Sequence, residues 1–303
     1  MKLFATLLVH VLFLVAATAS SAVSPAPRYA VAVLPTPVLN SADFAGVFGG
    51  GDGRTLRRDP CGLMREVEFV ALPGTVFRVE ETLKHHGVDV YRVTTDDYPY
   101  PAATGYFIDS RFVTLAETPP PPRPRRLPSR QELIDRLLAA QGSRYVWGGN
   151  QRAGIPQLLA FYPPAPGRPL SQTLSDLWQL RGVDCSGLLY EATGGFTPRN
   201  TSALVAYGEA VPIRGLDAGE IARRVEPLDL IVWPGHVMIV IDNGRIIESR
   251  LDCSGKKGGV MIRPLGGALG ELVRSRVPLN DLSGRICIGV RGFVIRRWYP
   301  VGK

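Results

Sequence analysis

Histidine is scarce in this chain: there are four in 303 residues, at positions 10, 85, 86 and 236. Cysteine is equally scarce, at positions 61, 185, 253 and 287. The cysteines lack the paired short spacings of a zinc site, so no metal or organic cofactor is implied. His85-His86 admits a metal-binding reading, but a polar turn between strands fits its surroundings better. Long apolar runs are also missing. After the first twenty-odd residues no segment is long and apolar enough to cross a bilayer, which excludes a transmembrane protein of the helical kind. There is no basic helix, no aromatic-basic RNA motif and no phosphate loop. The glycine-rich stretch Gly46 to Gly53 lacks the Lys-Ser/Thr ending such a loop needs and reads as a flexible connection.

What is present is ordinary for a globular protein: 45% hydrophobic and 20% charged residues. The formal net charge is +8 and favours anionic partners. Charge alone fits nucleic acid and an anionic cell wall equally well; the missing motifs turn the reading away from nucleic acid. Lys2 followed by the apolar run Leu3 to Ala17 reads as a secretory signal over residues 1–22. Ala17-Thr18-Ala19 and Ser20-Ser21-Ala22 are its cleavage candidates. The mature protein is therefore expected to be exported, without a stable membrane anchor. The sequence is silent on oligomeric state.

Residues 23–118 carry short β-rich runs separated by Pro-Gly, Gly and Asp-rich turns, which predicts a small all-β barrel. Residues 119–128, with Pro119-Pro120-Pro121-Pro122-Arg123-Pro124-Arg125-Arg126, predict an extended semi-rigid spacer. Residues 129–303 form the second domain. Ser129 and Glu132 suggest a capping box on a helix whose apolar stripe is Leu133, Leu137 and Leu138. Residues 150–180 read as a long insertion able to shape access to a site.

The chemistry gathers in the second domain. In Asp184-Cys185-Ser186-Gly187-Leu188-Leu189 a cysteine stands where an apolar helix begins. The N–H groups and dipole of a helix start favour a thiolate there, and the thiolate is the nucleophile. A buried core cysteine is the plainer reading of that stretch alone. A nucleophilic cysteine needs a base, and His236 is the one histidine in the C-terminal half. It opens a strand-like run after the Pro234-Gly235 break. Asn243-Gly244 then predicts a hairpin that sets Glu248 on the neighbouring strand, within reach of His236.

Three blocks in order now carry a resemblance: Tyr145-Val146-Trp147-Gly148-Gly149, Asp184-Cys185-Ser186-Gly187-Leu188, and Asp229-Leu230 through Gly235-His236-Val237. Pro198-Arg199-Asn200-Thr201-Ser202 adds a fourth. Together they resemble the NlpC/P60 family of papain-like cell-wall cysteine peptidases. The resemblance implies an α+β papain-like catalytic domain, and the preceding residues loosely resemble a bacterial SH3 domain. It implies Cys185 as nucleophile, His236 as base and Tyr145 lining the site near the nucleophile; Trp147 reads simply as a core aromatic. The third catalytic position falls on Glu248, where the family usually has His, Asn or Gln; a carboxylate can orient an imidazole in the same way. Asp184, Ser186, Arg199 and Ser202 become candidates for holding the substrate's charged groups.

The expected reaction is hydrolysis of a peptidoglycan stem peptide between D-γ-glutamate and the following diamino acid. An amidase or acyltransferase using the same pair, an inactive wall-binding protein, and a recycling enzyme for free stem peptides stay open beside it. With Cys185 reduced, one disulfide arrangement joins Cys253 to Cys287 and leaves Cys61 free; the sequence does not choose.

Overall fold

The computed structural model describes residues 28–254, 258–282 and 291–300. The expected signal segment and Cys287 lie outside these residues. The first unit contains β1 (Arg28–Ala32), β2 (Thr36–Leu39), α1 (Phe44–Val47), β3 (Val67–Ala71), β4 (Val76–His85), β5 (Val88–Thr94), β6 (Tyr106–Asp109) and β7 (Val113–Ala116). Its seven strands form one antiparallel sheet in the order β3-β2-β6-β5-β4-β1-β7. The β-rich reading holds, but the sheet has two edges, and no pairing among the described residues closes it into a barrel. His86-Gly87 is the β4–β5 turn; both residues are left-handed, at φ of 49° and 81°. The imidazoles of His86 and of His85 at the end of β4 face Asp43, which is already the N-cap of α1 and the ion-pair partner of Arg57 at 2.6 Å.

The second unit follows as α2 (Arg130–Leu138), β8 (Asn150–Gln151), α3 (Gln157–Phe161), α4 (Gln172–Trp178), β9 (Gly182–Val183), α5 (Cys185–Ala192), α6 (Thr201–Leu204), β10 (Glu209–Val211), α7 (Ala218–Ala222), β11 (Leu230–Trp233), β12 (His236–Asp242), β13 (Arg245–Arg250), β14 (Gly259–Pro264), α8 (Leu265–Ser275), β15 (Val277–Pro278) and β16 (Gly292–Arg297). The central sheet runs β10-β16-β11-β12-β13-β14, antiparallel throughout, with the short β15 parallel to β16. The whole is a mixed α/β structure of mostly antiparallel sheets.

Side chains alternate across a strand, so a sheet covered on both faces has two apolar sets. Val237, Ile239 and Ile241 of β12 pack with α2 and α5 through Leu133, Leu137, Leu188 and Leu189. Met238 and Val240 pack with α7 and α8 through Ile221, Leu265, Leu269 and Leu272. Ser129 caps α2 by accepting from the Glu132 N–H at 3.3 Å. The expected capping box is not completed, because Glu132 pairs with Arg136 one turn on.

The boundary expected at the proline-rich stretch is not where packing ends. Ile155, Leu158, Trp178 and Leu180, from the insertion, share one core with Phe44, Phe48, Phe112 and Val70 of the first unit. The insertion thus folds into short helices instead of a long loop, because it has apolar residues to bury and the first sheet has a face to receive them. Arg123 of the spacer donates to the Gly194 carbonyl at 2.8 Å, and Arg125 pairs with Asp97. Cys61 is bonded to Cys253, 192 residues away. This replaces the Cys253–Cys287 arrangement, and it ties the first unit to the end of β13. Closing so long a loop restricts the unfolded chain, which stabilises by about 2–5 kcal/mol. A Cys61→Ser/Cys253→Ser variant should therefore unfold at clearly lower denaturant than wild type in chemical denaturation. Equal midpoints would mean the crosslink contributes nothing.

Candidate active site

The site is built where α5 begins. Asp184 is the helix N-cap, its carboxylate accepting from the Gly187 N–H at 2.6 Å. Gly187 is required there, since a Cβ would run into the Gly149 carbonyl. The same holds for Gly148, left-handed at φ 68°, whose Cβ would lie 2.6 Å from the Val67 carbonyl of the first unit. These close approaches explain the glycines of two of the sequence blocks.

Arg199 locks this corner. It is 3% exposed. Its Nε donates to Asn150 Oδ1 at 3.1 Å. Nη1 donates to Asp184 Oδ1 at 3.0 Å and Ser186 Oγ at 2.9 Å. Nη2 donates to Asp184 Oδ2 at 2.7 Å and the Gly149 carbonyl at 3.2 Å. All five guanidinium N–H groups are satisfied. Asp184, Ser186 and Arg199 are therefore occupied with one another, and none is free to hold a substrate's charge as the sequence suggested. Ser202 is exposed on α6, whose start is capped by Asn200 accepting from the Ser202 N–H at 3.2 Å. Asn150, which the sequence did not single out, also accepts from the Val70 N–H at 3.0 Å and donates to the Val70 carbonyl at 2.9 Å. It acts as a one-residue strand on the open edge of β3.

Cys185 is 7% exposed. Burial, then the neighbouring Asp184 carboxylate, push its thiol up to about 12, against a smaller downward pull from Arg199 and the Ser186 and Val237 N–H groups. Its sulfur lies 3.9 Å from the Gly235 carbonyl. The Gly235 N–H in turn donates to Thr201 Oγ1 at 3.1 Å, fixing the tight β11–β12 turn. Tyr145 runs beside Val183, the residue two before the cysteine. Burial, Asp184 and Cys185 together raise its phenol. Trp147 is not a core aromatic: it is 36% exposed, with the Arg65 guanidinium 4.1 Å above its ring.

His236 and Glu248 meet as the hairpin predicted, Nε2 to Oε2 at 2.6 Å. Glu248 is 2% exposed and also receives Arg263 Nη1 at 2.8 Å. Burial alone would raise its carboxyl, but the hydrogen bonds from His236 and Arg263 outweigh it and the net shift is downward. Arg263 was missed in the sequence; a lone cation directly after the apolar run Val260-Met261-Ile262 was the available signal. No hydrogen bond joins His236 to Cys185 in this arrangement. The residues on either side of the histidine touch the sulfur, while its imidazole lines a cavity with Met238, Glu248 and Arg263.

No family model and no curated protein matches the chain. Among solved structures it is similar to NlpC1 from Trichomonas vaginalis, at 10% identity over 93% of this chain and 96% of that one, with a TM-score of 0.36. It is also similar to NlpC2 from the same organism, at 14% identity over 90% and 72%, with a TM-score of 0.30. The family reading accordingly rests on the motif residues and their surroundings.

Two outcomes test this account of the site. Arg199→Met leaves Asp184 buried without its cation, and should cost about 3–5 kcal/mol in chemical denaturation; a loss under about 1 kcal/mol would refute the locking role. Glu248, lowered on folding from its ordinary 4.5, adds stability that is full above that pH and lost as pH falls through the folded value. Glu248→Gln should flatten the acid side of the stability profile below about pH 5. An unchanged slope would place the acid sensitivity elsewhere.

Proposed function

We propose that the protein is an exported cysteine hydrolase of the NlpC/P60 type that cleaves an amide in cell-wall stem peptides. The observation that carries the reading is the 2.6 Å pairing of His236 with Glu248 on the hairpin that wraps Cys185. Glu248 holds Nε2 and leaves Nδ1 for the thiol. Nδ1 takes the Cys185 proton as the sulfur attacks the amide carbonyl. The imidazolium then gives that proton to the leaving amine, and an acyl-enzyme thioester remains. Water, deprotonated by the same imidazole, attacks the thioester and restores the thiol. Backbone N–H groups beside Cys185, with the Tyr145 hydroxyl nearby, are suited to the developing oxyanion.

The step requires the His236 ring to turn until Nδ1 reaches the sulfur. Such contacts are commonly loose before substrate binds. Gly235 and Val237 touch the thiol, whereas His236 shares a strand face with Met238 and Glu248, so the Gly235-His236 backbone at the start of β12 has to move with the ring. The bond expected to break joins D-γ-glutamate to the diamino acid, in intact wall or in free stem peptide. The absence of a thiol–imidazole hydrogen bond favours one alternative, a wall-binding protein without turnover.

Muropeptides and free stem peptides incubated with wild type, Cys185→Ala and Glu248→Gln, and read by mass spectrometry, separate these readings. Cleavage after D-γ-glutamate that vanishes in Cys185→Ala and falls about 10–1,000-fold in Glu248→Gln is the expected result. Binding without any cleavage by reduced wild type would instead favour the non-catalytic reading.

A further inference from the structure

The cavity that His236 and Glu248 line has a volume of about 490 Å³ and lies between β13, β14 and α8, on the face of the sheet opposite the Cys185 core. Its wall carries three arginines, Arg250, Arg263 and Arg276, against two glutamates, Glu248 and Glu271. Arg263 bridges both glutamates. That leaves Arg276 without an ion-pair or hydrogen-bond partner among the described residues, while the exposed Arg250 makes no ion pair there and its charge acts on Glu271. The residues outside the described set contain no Asp or Glu side chain that could serve them.

Arg276 is the sharper case. It is half-buried at the end of α8, its guanidinium 4.7 Å from the centre of the Trp233 ring. That ring lies 5.1 Å from His236. Burial and the like charge of Arg291 both lower its pKa, so its surroundings penalise the cation. A half-buried cation with a like-charged neighbour and no counter-ion is stabilised by an incoming anion. A guanidinium fork stacked on an aromatic ring presents two parallel N–H groups to the two oxygens of a carboxylate. Arg250 stands two residues after Glu248 on β13, so it projects from the same face of the sheet.

We infer that Arg276, with Arg250 across the cavity, binds a carboxylate of the peptide substrate while His236 acts at the scissile amide. This rests on the hydrolase reading above and adds to it a specificity: peptides with a free carboxylate at the matching position over their carboxamide forms.

The test uses a stem tetrapeptide and the series in which each carboxylate is converted in turn to the carboxamide. In wild type one conversion should lower kcat/KM about tenfold or more, chiefly through KM. In Arg276→Ala the ratio between those two peptides should collapse to within about twofold. Arg276→Lys should fall between, since it keeps the charge and loses the fork. Arg274→Ala, an exposed neighbour on α8, serves as the control and should keep the wild-type ratio. A wild type indifferent to every conversion, or an Arg276→Ala variant with the wild-type ratio, overturns the inference. If wild type cleaves none of the peptides, the hydrolase reading fails, and calorimetric binding in the Cys185→Ala background decides the subsite by itself. Binding that weakens about tenfold or more on adding Arg276→Ala supports it. Equal affinity, or no binding to Cys185→Ala, overturns it.

Discussion

Everything near Cys185 depends on one buried cation. Arg199 binds the N-cap of the cysteine helix, the hydroxyl of Ser186, the Gly149 carbonyl and the side chain of Asn150. Asn150 carries the restraint onward to the edge of the first sheet. A guanidinium removed from water is costly unless every donor is satisfied and a carboxylate stands opposite. Here both conditions are met, so the penalty for disturbing any member is high. The position of Cys185 and the docking of the first unit are thereby parts of one interaction.

The first unit is consequently more than an appended module. Its core includes Trp178 and Leu158 of the insertion. Its β3 edge is covered by Asn150, and Val67 lies against Gly148 in the block that contains Tyr145. The disulfide from Cys61 reaches the loop just beyond Glu248. The hairpin that carries His236 and Glu248 is thus fastened to the first unit at one end, while α8 covers its outer face.

Several of these features were legible in the sequence. Asn243-Gly244 gave the hairpin because that dipeptide accepts the turn's backbone, and the spacing from His236 to Glu248 followed. The start of α5 was readable from Asp184 and the apolar run after it. Other features were not readable, because they depend on partners distant in the chain. Arg199 looks like a surface cation until Asp184 and Asn150 are seen to surround it. Asn150 has no local signal at all. Trp147, read as core, lies outside because the glycines that follow turn the chain against Val67. The barrel and the long loop failed together: β-rich runs foretell strands but not closure, and the insertion's apolar residues found their partners in the first sheet, which ends at Ala116, well before them in sequence.

Burial raises the Cys185 thiol, and His236 is turned toward Glu248. The proposed mechanism requires the two to meet. The direct measurement is the pH dependence of alkylation at Cys185, read by mass spectrometry of the peptide that contains it, in wild type and His236→Ala. The account predicts that wild type reacts with a midpoint well below the resting value of about 12, because the imidazole accepts the proton, and that His236→Ala moves the midpoint up toward it. Coincident profiles in the two proteins would contradict the account, leaving Cys185 a buried core thiol and His236 without a part in its chemistry.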